Sequence, residues 1–209
     1  MPEPDGPLRA LASPWPIWSD TFFRICTRAA PVPSLIAGFG LKANDAFPAQ
    51  LEIALKKRGY DVEVANAGVS GDTSAGGLSR LDWSIQDGTQ AVILVLGAND
   101  MLRGMEPELA RKNIGEVIAR LKARKIEVLL GGMRAAPNLG ADYAARFNPI
   151  YEELAKEHDI LIYPFFLDGV AGERDLNMSD GIHPTPKGVS LVVERILPSV
   201  ESLIERVKK

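Results

Sequence analysis

Apolar residues along this chain fall into two kinds of run. Some are near-continuous: AVILVL over residues 91–96, IEVLLG over residues 126–131, and shorter runs at Val62–Asn66 and over residues 160–163. Runs that are apolar throughout fit strands of a parallel sheet, buried on both faces. Others recur at helical spacing. Phe47, Leu51 and Leu55 share one face, with Asp45 as a cap near Ala46 and Gly59 as a stop. Pro107 opens a second helix carrying Ile114, Val117, Ile118 and Leu121. Phe147, Ile150, Tyr151 and Leu154 mark a third. Thr185 and Pro186 open the last, whose apolar face runs through Val189, Val192, Val193, Ile196, Val200, Leu203 and Ile204. These stripes are core-packing faces. Their alternation with strands predicts an α/β fold, a three-layer α/β/α sandwich around a parallel sheet.

Residues 1–33 break this regularity. Prolines 2, 4, 7, 14, 16, 31 and 33 interrupt the segment, and the compact patch from Phe22 to Cys26 is its one apolar cluster. No later linker, repeat or low-complexity tract appears. The division expected is an atypical N-terminal segment over 1–33 and one globular domain over 34–209, an ordinary domain size.

Composition narrows the function classes. The 24 Lys+Arg against 27 Asp+Glu give a net charge of −3, which offers no basic excess for nucleic acid. One cysteine, Cys26, makes no internal disulfide, and with His158 and His183 as the two histidines a cysteine or histidine metal cluster is not expected. No apolar run reaches 18 residues, so no membrane span is expected. The first residues lack the apolar core of an export signal.

Parallel sheets carry their sites at the carboxyl ends of strands. Three loops should open there: residues 67–74 (AGVSGDTS), 97–100 (GAND), and the stretch ending in residues 179–184 (SDGIHP). In the last, Asp180 stands three residues before His183, a spacing that brings a carboxylate to one imidazole nitrogen and fixes its tautomer. The nucleophile candidates are Ser34, Ser70, Thr73 and Ser74. By themselves Ser34 and Ser70 read equally well as turn or cap serines. Residues 68–72 (GVSGD) miss the last glycine of a G-x-S-x-G elbow, against the usual α/β-hydrolase layout. Donors for a developing oxyanion could be the Gly71 N–H and the Asn99 carboxamide. Asp100 reads as a cap or loop brace, and His158 as a surface residue near a helix end.

With these residues in place, residues 34–204 resemble the SGNH hydrolases, also called the GDSL family, and most nearly the bacterial arylesterase, acyl-CoA thioesterase I and lysophospholipase group. The first block, Gly-Asp-Ser-Leu in the family, aligns with Val32-Pro33-Ser34-Leu35. The second resembles Asn66-Ala67-Gly68-Val69-Ser70-Gly71-Asp72-Thr73. The third, Gly-x-Asn-Asp, matches Gly97-Ala98-Asn99-Asp100. The fifth, Asp-x-x-His-Pro, matches Asp180-Gly181-Ile182-His183-Pro184. The resemblance implies Ser34 as nucleophile, His183 as general base and Asp180 as its orienter. It implies an oxyanion hole from the N–H groups of Ser34 and Gly71 and the side chain of Asn99. It also implies a flavodoxin-like sheet and neither metal nor organic cofactor.

The first block departs from the family. Val32 and Pro33 stand in place of its glycine and aspartate, and the residues before Ser34 include Arg24, Arg28, Pro31 and Pro33 rather than an apolar strand. A shifted coding frame or start upstream of Ser34 would account for this, and re-reading the DNA in other frames for Gly-Asp codons tests it. The expected compartment is cytoplasmic as written, and periplasmic if the true N-terminus carries an export signal. The function expected is a serine esterase acting through an acyl-enzyme on small aryl or acyl esters, acyl thioesters or lysophospholipids. The alternative is a catalytically impaired binding module on the same fold. Residues 133–140 (MRAAPNLG) read as either a pocket wall or a plain crossover, with Arg134 facing an anionic head group in the first case.

Overall fold

The computed structural model describes residues 19–27, 45–181 and 183–208. Ser34, with Val32 and Pro33, lies outside them, as does the proposed division at residues 33 and 34. Residues 19–27 are not apart from the rest: they form β1 (Ser19–Thr27) within the sheet.

The sheet runs in the order β2 (Val62–Asn66), β1, β4 (Ala91–Val95), β5 (Glu127–Gly131), β6 (Leu161–Tyr163), with the short β3 (Val69–Ser70) paired to β1. Helices α1 (Phe47–Lys57) and α8 (Pro186–Val207) pack on one face. On the other lie α2 (Ser74–Ser79), α3 (Leu81–Ser84), α4 (Ala98–Leu102), α5 (Pro107–Ala123), α6 (Ala141–Phe147) and α7 (Ile150–His158). This is the expected α/β/α sandwich. The sheet is mixed and mostly parallel. β4, β5 and β6 run parallel, and β2 shares their direction because both β2 and β4 are antiparallel to β1.

The apolar runs explain the layers. All five residues of β4 are buried, as a strand covered on both faces requires. In β1 the pleat sends Phe22 and Arg24 to one face and Phe23 and Ile25 to the other. Phe23 meets Phe47 at 4.6 Å between ring centroids, joining β1 to α1. Arg24 is out of place among these. It is 4% exposed, donates to Gln86 Oε1 at 3.1 Å, and its Nε finds no hydrogen-bond partner among the described residues.

Two helical expectations are corrected. The cap of α1 is Ala46 and not Asp45, and no side chain bonds there. Pro48, in the first turn, lacks one of the N–H groups a capping side chain would bind. The third helix is two. Pro149 has no N–H to continue α6, so the chain restarts as α7. Thr185 does cap α8, accepting from Gly188 N–H at 3.3 Å. Among the described residues no helix is long and apolar enough to cross a membrane.

Candidate active site

The parallel strands end on one rim, and the loops named above leave from it. Since β1 runs the other way, its first residues lie at this rim, where Ser19 pairs with Ser70 and Asp20 with Val69. Thr27 lies at the opposite edge, beside Val62 at the start of β2.

Asp180 and His183 meet. The Asp180 carboxylate accepts from the His183 backbone N–H at 2.9 Å, and its other oxygen stands 3.0 Å from His183 Nδ1. Gly181, at φ +75°, makes the tight turn between them. The loop is braced from below: Met178 N–H donates to the His183 carbonyl at 2.7 Å, and the Asn177 carboxamide donates to the carbonyls of Val170 and Glu173 at 2.6 and 2.8 Å. His183 is 7% exposed while Asp180 is part-buried, so the bond is partly shielded from water and stronger than in bulk solvent.

Gly71 and Asn99 stand on the two neighbouring loops. Gly71 adopts φ +80°, and its carbonyl accepts from the Arg103 guanidinium at 2.7 Å. Asn99 is 1% exposed in α4, whose N-cap is Gly97, at φ +99°. Asp100 braces the loops, as expected of it. Its two oxygens accept from the Ser74 N–H at 2.7 Å and the Ser74 hydroxyl at 2.5 Å, and Asn113 Nδ2 donates to Ser74 Oγ at 3.0 Å.

This geometry sorts the nucleophile candidates. Ser74 is wholly buried and committed to Asp100. Thr73 caps α2, accepting from Gly76 N–H at 3.3 Å. Ser70 is exposed at the rim. Arg103 and Asn113 were not singled out in the sequence. The available signals were the i,i+4 spacing of Arg103 from Asn99 and the position of Asn113 on an otherwise apolar helix face. Arg134 is exposed at the end of β5, its guanidinium 5.1 Å from the Phe165 ring centroid. His158, the last residue of α7, is half-buried. Among the described residues no cluster of three or more metal-ligating side chains occurs.

A family model described as GDSL-like Lipase/Acylhydrolase matches residues 34–191. The chain is 36% identical over 172 residues to esterase TesA of Pseudomonas aeruginosa, covering 82% of this chain and 86% of that protein. It is 36% identical to an arylesterase of Vibrio mimicus, covering 77% and 81%. It is 34% identical to thioesterase 1/protease 1/lysophospholipase L1 of Escherichia coli, covering 82% and 81%. The crystal structure of TesA superposes with a TM-score of 0.75 over 78% of this chain and 92% of that one, at 36% identity. The SGNH-hydrolase family esterase AlinE4 is 44% identical, with a TM-score of 0.66 over 78% and 88%.

Proposed function

The chain belongs to the GDSL-like lipase/acylhydrolase family and is a serine esterase, and from that premise we propose which residues carry the reaction and on what substrates. Ser34 Oγ attacks the ester or thioester carbonyl carbon while His183 takes the hydroxyl proton. Asp180, hydrogen-bonded at Nδ1, fixes the ring, leaves Nε2 to take the hydroxyl proton and stabilises the imidazolium. The carbonyl oxygen becomes an oxyanion held by the Ser34 and Gly71 N–H groups and the Asn99 carboxamide. Collapse breaks the ester bond, and the leaving alcohol or thiol departs with the proton from His183. Water, deprotonated by the same ring, then attacks the acyl-serine, and as the acyl–Oγ bond breaks His183 returns the proton to Ser34 Oγ and the acid is released.

The single observation that carries this reading is the Asp180–His183 pair, 3.0 Å apart and part-buried at the rim. The substrates proposed are small: aryl esters, as the name of the Vibrio mimicus relative suggests, and acyl thioesters or lysophospholipids, as that of the Escherichia coli relative does. The scheme calls on no metal or organic cofactor. The curated relatives named above are all enzymes, and nothing among them favours a binding module.

The test is a panel of p-nitrophenyl esters of increasing acyl length, run beside Ser34→Ala and with a serine-directed phosphonate. Turnover that disappears in Ser34→Ala, with phosphonate mass on Ser34 of the unaltered chain, is the expected result. Turnover that survives in Ser34→Ala, or phosphonate on Ser70, overturns the assignment.

A further inference from the structure

The proposed oxyanion donors Gly71 and Asn99 belong to loops after different strands, yet they must converge on one oxygen. Catalytic donors work only within a few tenths of an ångström of the oxyanion's position. Something must therefore set the spacing of the two loops.

Four hydrogen bonds tie them, and each lies within four residues of a donor or props up one that does. Asp100, next to Asn99, grips Ser74, three residues after Gly71, through both the N–H and the hydroxyl. Asn113 on α5 donates to the Ser74 oxygen, which leaves the hydroxyl proton for Asp100. Arg103, four residues after Asn99, holds the Gly71 carbonyl. Without a side chain, Gly71 has nothing of its own to limit rotation at φ +80°.

Asp100 is 1% exposed, and the hydrogen bonds to its carboxylate come from neutral groups of Ser74. Placing a carboxylate there costs more than an apolar side chain of like size. The cost is offset by a two-point grip that a single hydrogen bond could not give.

We propose that Asp100, acting through Ser74, and Arg103, acting through the Gly71 carbonyl, are positioning residues that set the spacing of the oxyanion hole. This rests on the reading of Gly71 and Asn99 as its donors. The residues touch no substrate. They act by keeping α2 and α4 in register, so their loss should lower turnover more than binding.

The experiment uses the full chain with Ser74→Ala, Arg103→Met and Asn99→Ala, and the two double variants containing Asn99→Ala. Ser74→Ala and Arg103→Met are each expected to lower kcat about tenfold with KM changed less than about twofold. In the Asn99→Ala background the same changes should cost less than about twofold, since the donor they aim is gone. A merely structural role would repeat its full effect in that background. Arg103 is exposed, so Arg103→Met keeps the test available if Ser74→Ala folds poorly. Unchanged kcat in both single variants, or full additivity with Asn99→Ala, overturns the proposal while leaving the donors standing. Normal turnover in Asn99→Ala itself overturns the reading of the hole, and the proposal with it.

Discussion

The Tyr151 hydroxyl donates a hydrogen bond of 2.8 Å to the carbonyl of Leu96, just past the end of β4. It thereby satisfies a buried backbone acceptor at the point where the chain leaves the sheet for α4. The same oxygen lies 2.5 Å from where a Cβ on Gly97 would stand, and Gly97 is at φ +99°. Glycine is thus required twice, for backbone angle and for space. Gly97→Ala should lose on the order of 2–5 kcal/mol, combining strain at positive φ with overpacking. Tyr151→Phe should lose about 1 kcal/mol for the Leu96 hydrogen bond. Together they should cost less than the sum, because removing the hydroxyl relieves the clash. Urea unfolding of the two single variants and the double variant measures this, and strict additivity would refute it.

Asn99→Ala is expected to lower kcat about 10²–10³-fold, the usual loss for one oxyanion donor, while the fold survives. The thermal midpoint and circular dichroism should stay near those of the unaltered protein. Near-normal turnover on a p-nitrophenyl ester would remove Asn99 from the site.

Arg24 should be a weak point of the central strand. The residue is 4% exposed, its guanidinium donates to the neutral Gln86, and Nε is unsatisfied among the described residues. A methionine of similar length would fill much of the same buried space without that penalty. Arg24→Met is expected to raise stability by on the order of 1–3 kcal/mol, the cost of a buried unsatisfied polar group. For a chain of this size that is a rise of about 2–4 °C in thermal midpoint per kcal/mol. A fall on calorimetry would show that the Gln86 bond outweighs the burial cost.

The elements that could be read from the sequence were those with a strong period. Val62–Asn66 is a strand with the expected bounds, and the three other parallel strands shift by a residue or so. β1 could not be read as a strand, because Arg24 breaks the apolar run and Phe22, Phe23, Arg24, Ile25 is no strict alternation, and its direction was not legible either. Direction is set by the neighbouring strands and by the connections. The split between α6 and α7 was signalled by Pro149 but overridden by the apolar spacing across it. At the site, Asp180 and His183 were legible because three residues and a turn suffice to join them. The Ser74–Asp100–Asn113 brace was not, since its partners are brought together only by the folded sheet. Ser34 is preferred to Ser70 on the family resemblance, since the residue types alone fit either.

Tyr143 gives the fold a pH signature. Burial pushes its phenol up to about 12, and the carboxylates of Asp100 and Glu106 add to the effect. Its hydroxyl donates to the Met105 carbonyl at 2.8 Å, a bond that exists only while the phenol keeps its proton. Below pH 10 the phenol is protonated whether the chain is folded or not, so pH has no effect through this group. Between about 10 and 12 the unfolded chain releases the proton and the folded one retains it, so stability falls as pH rises. Tyr143→Phe loses the hydrogen bond, costing about 1 kcal/mol at pH 8, but has nothing to ionise. The advantage of the unaltered protein over Tyr143→Phe should therefore shrink steadily from pH 10 to pH 12. Urea midpoints measured for both proteins across that range check it, and a gap that stays constant would mean that Tyr143 titrates as an ordinary exposed phenol.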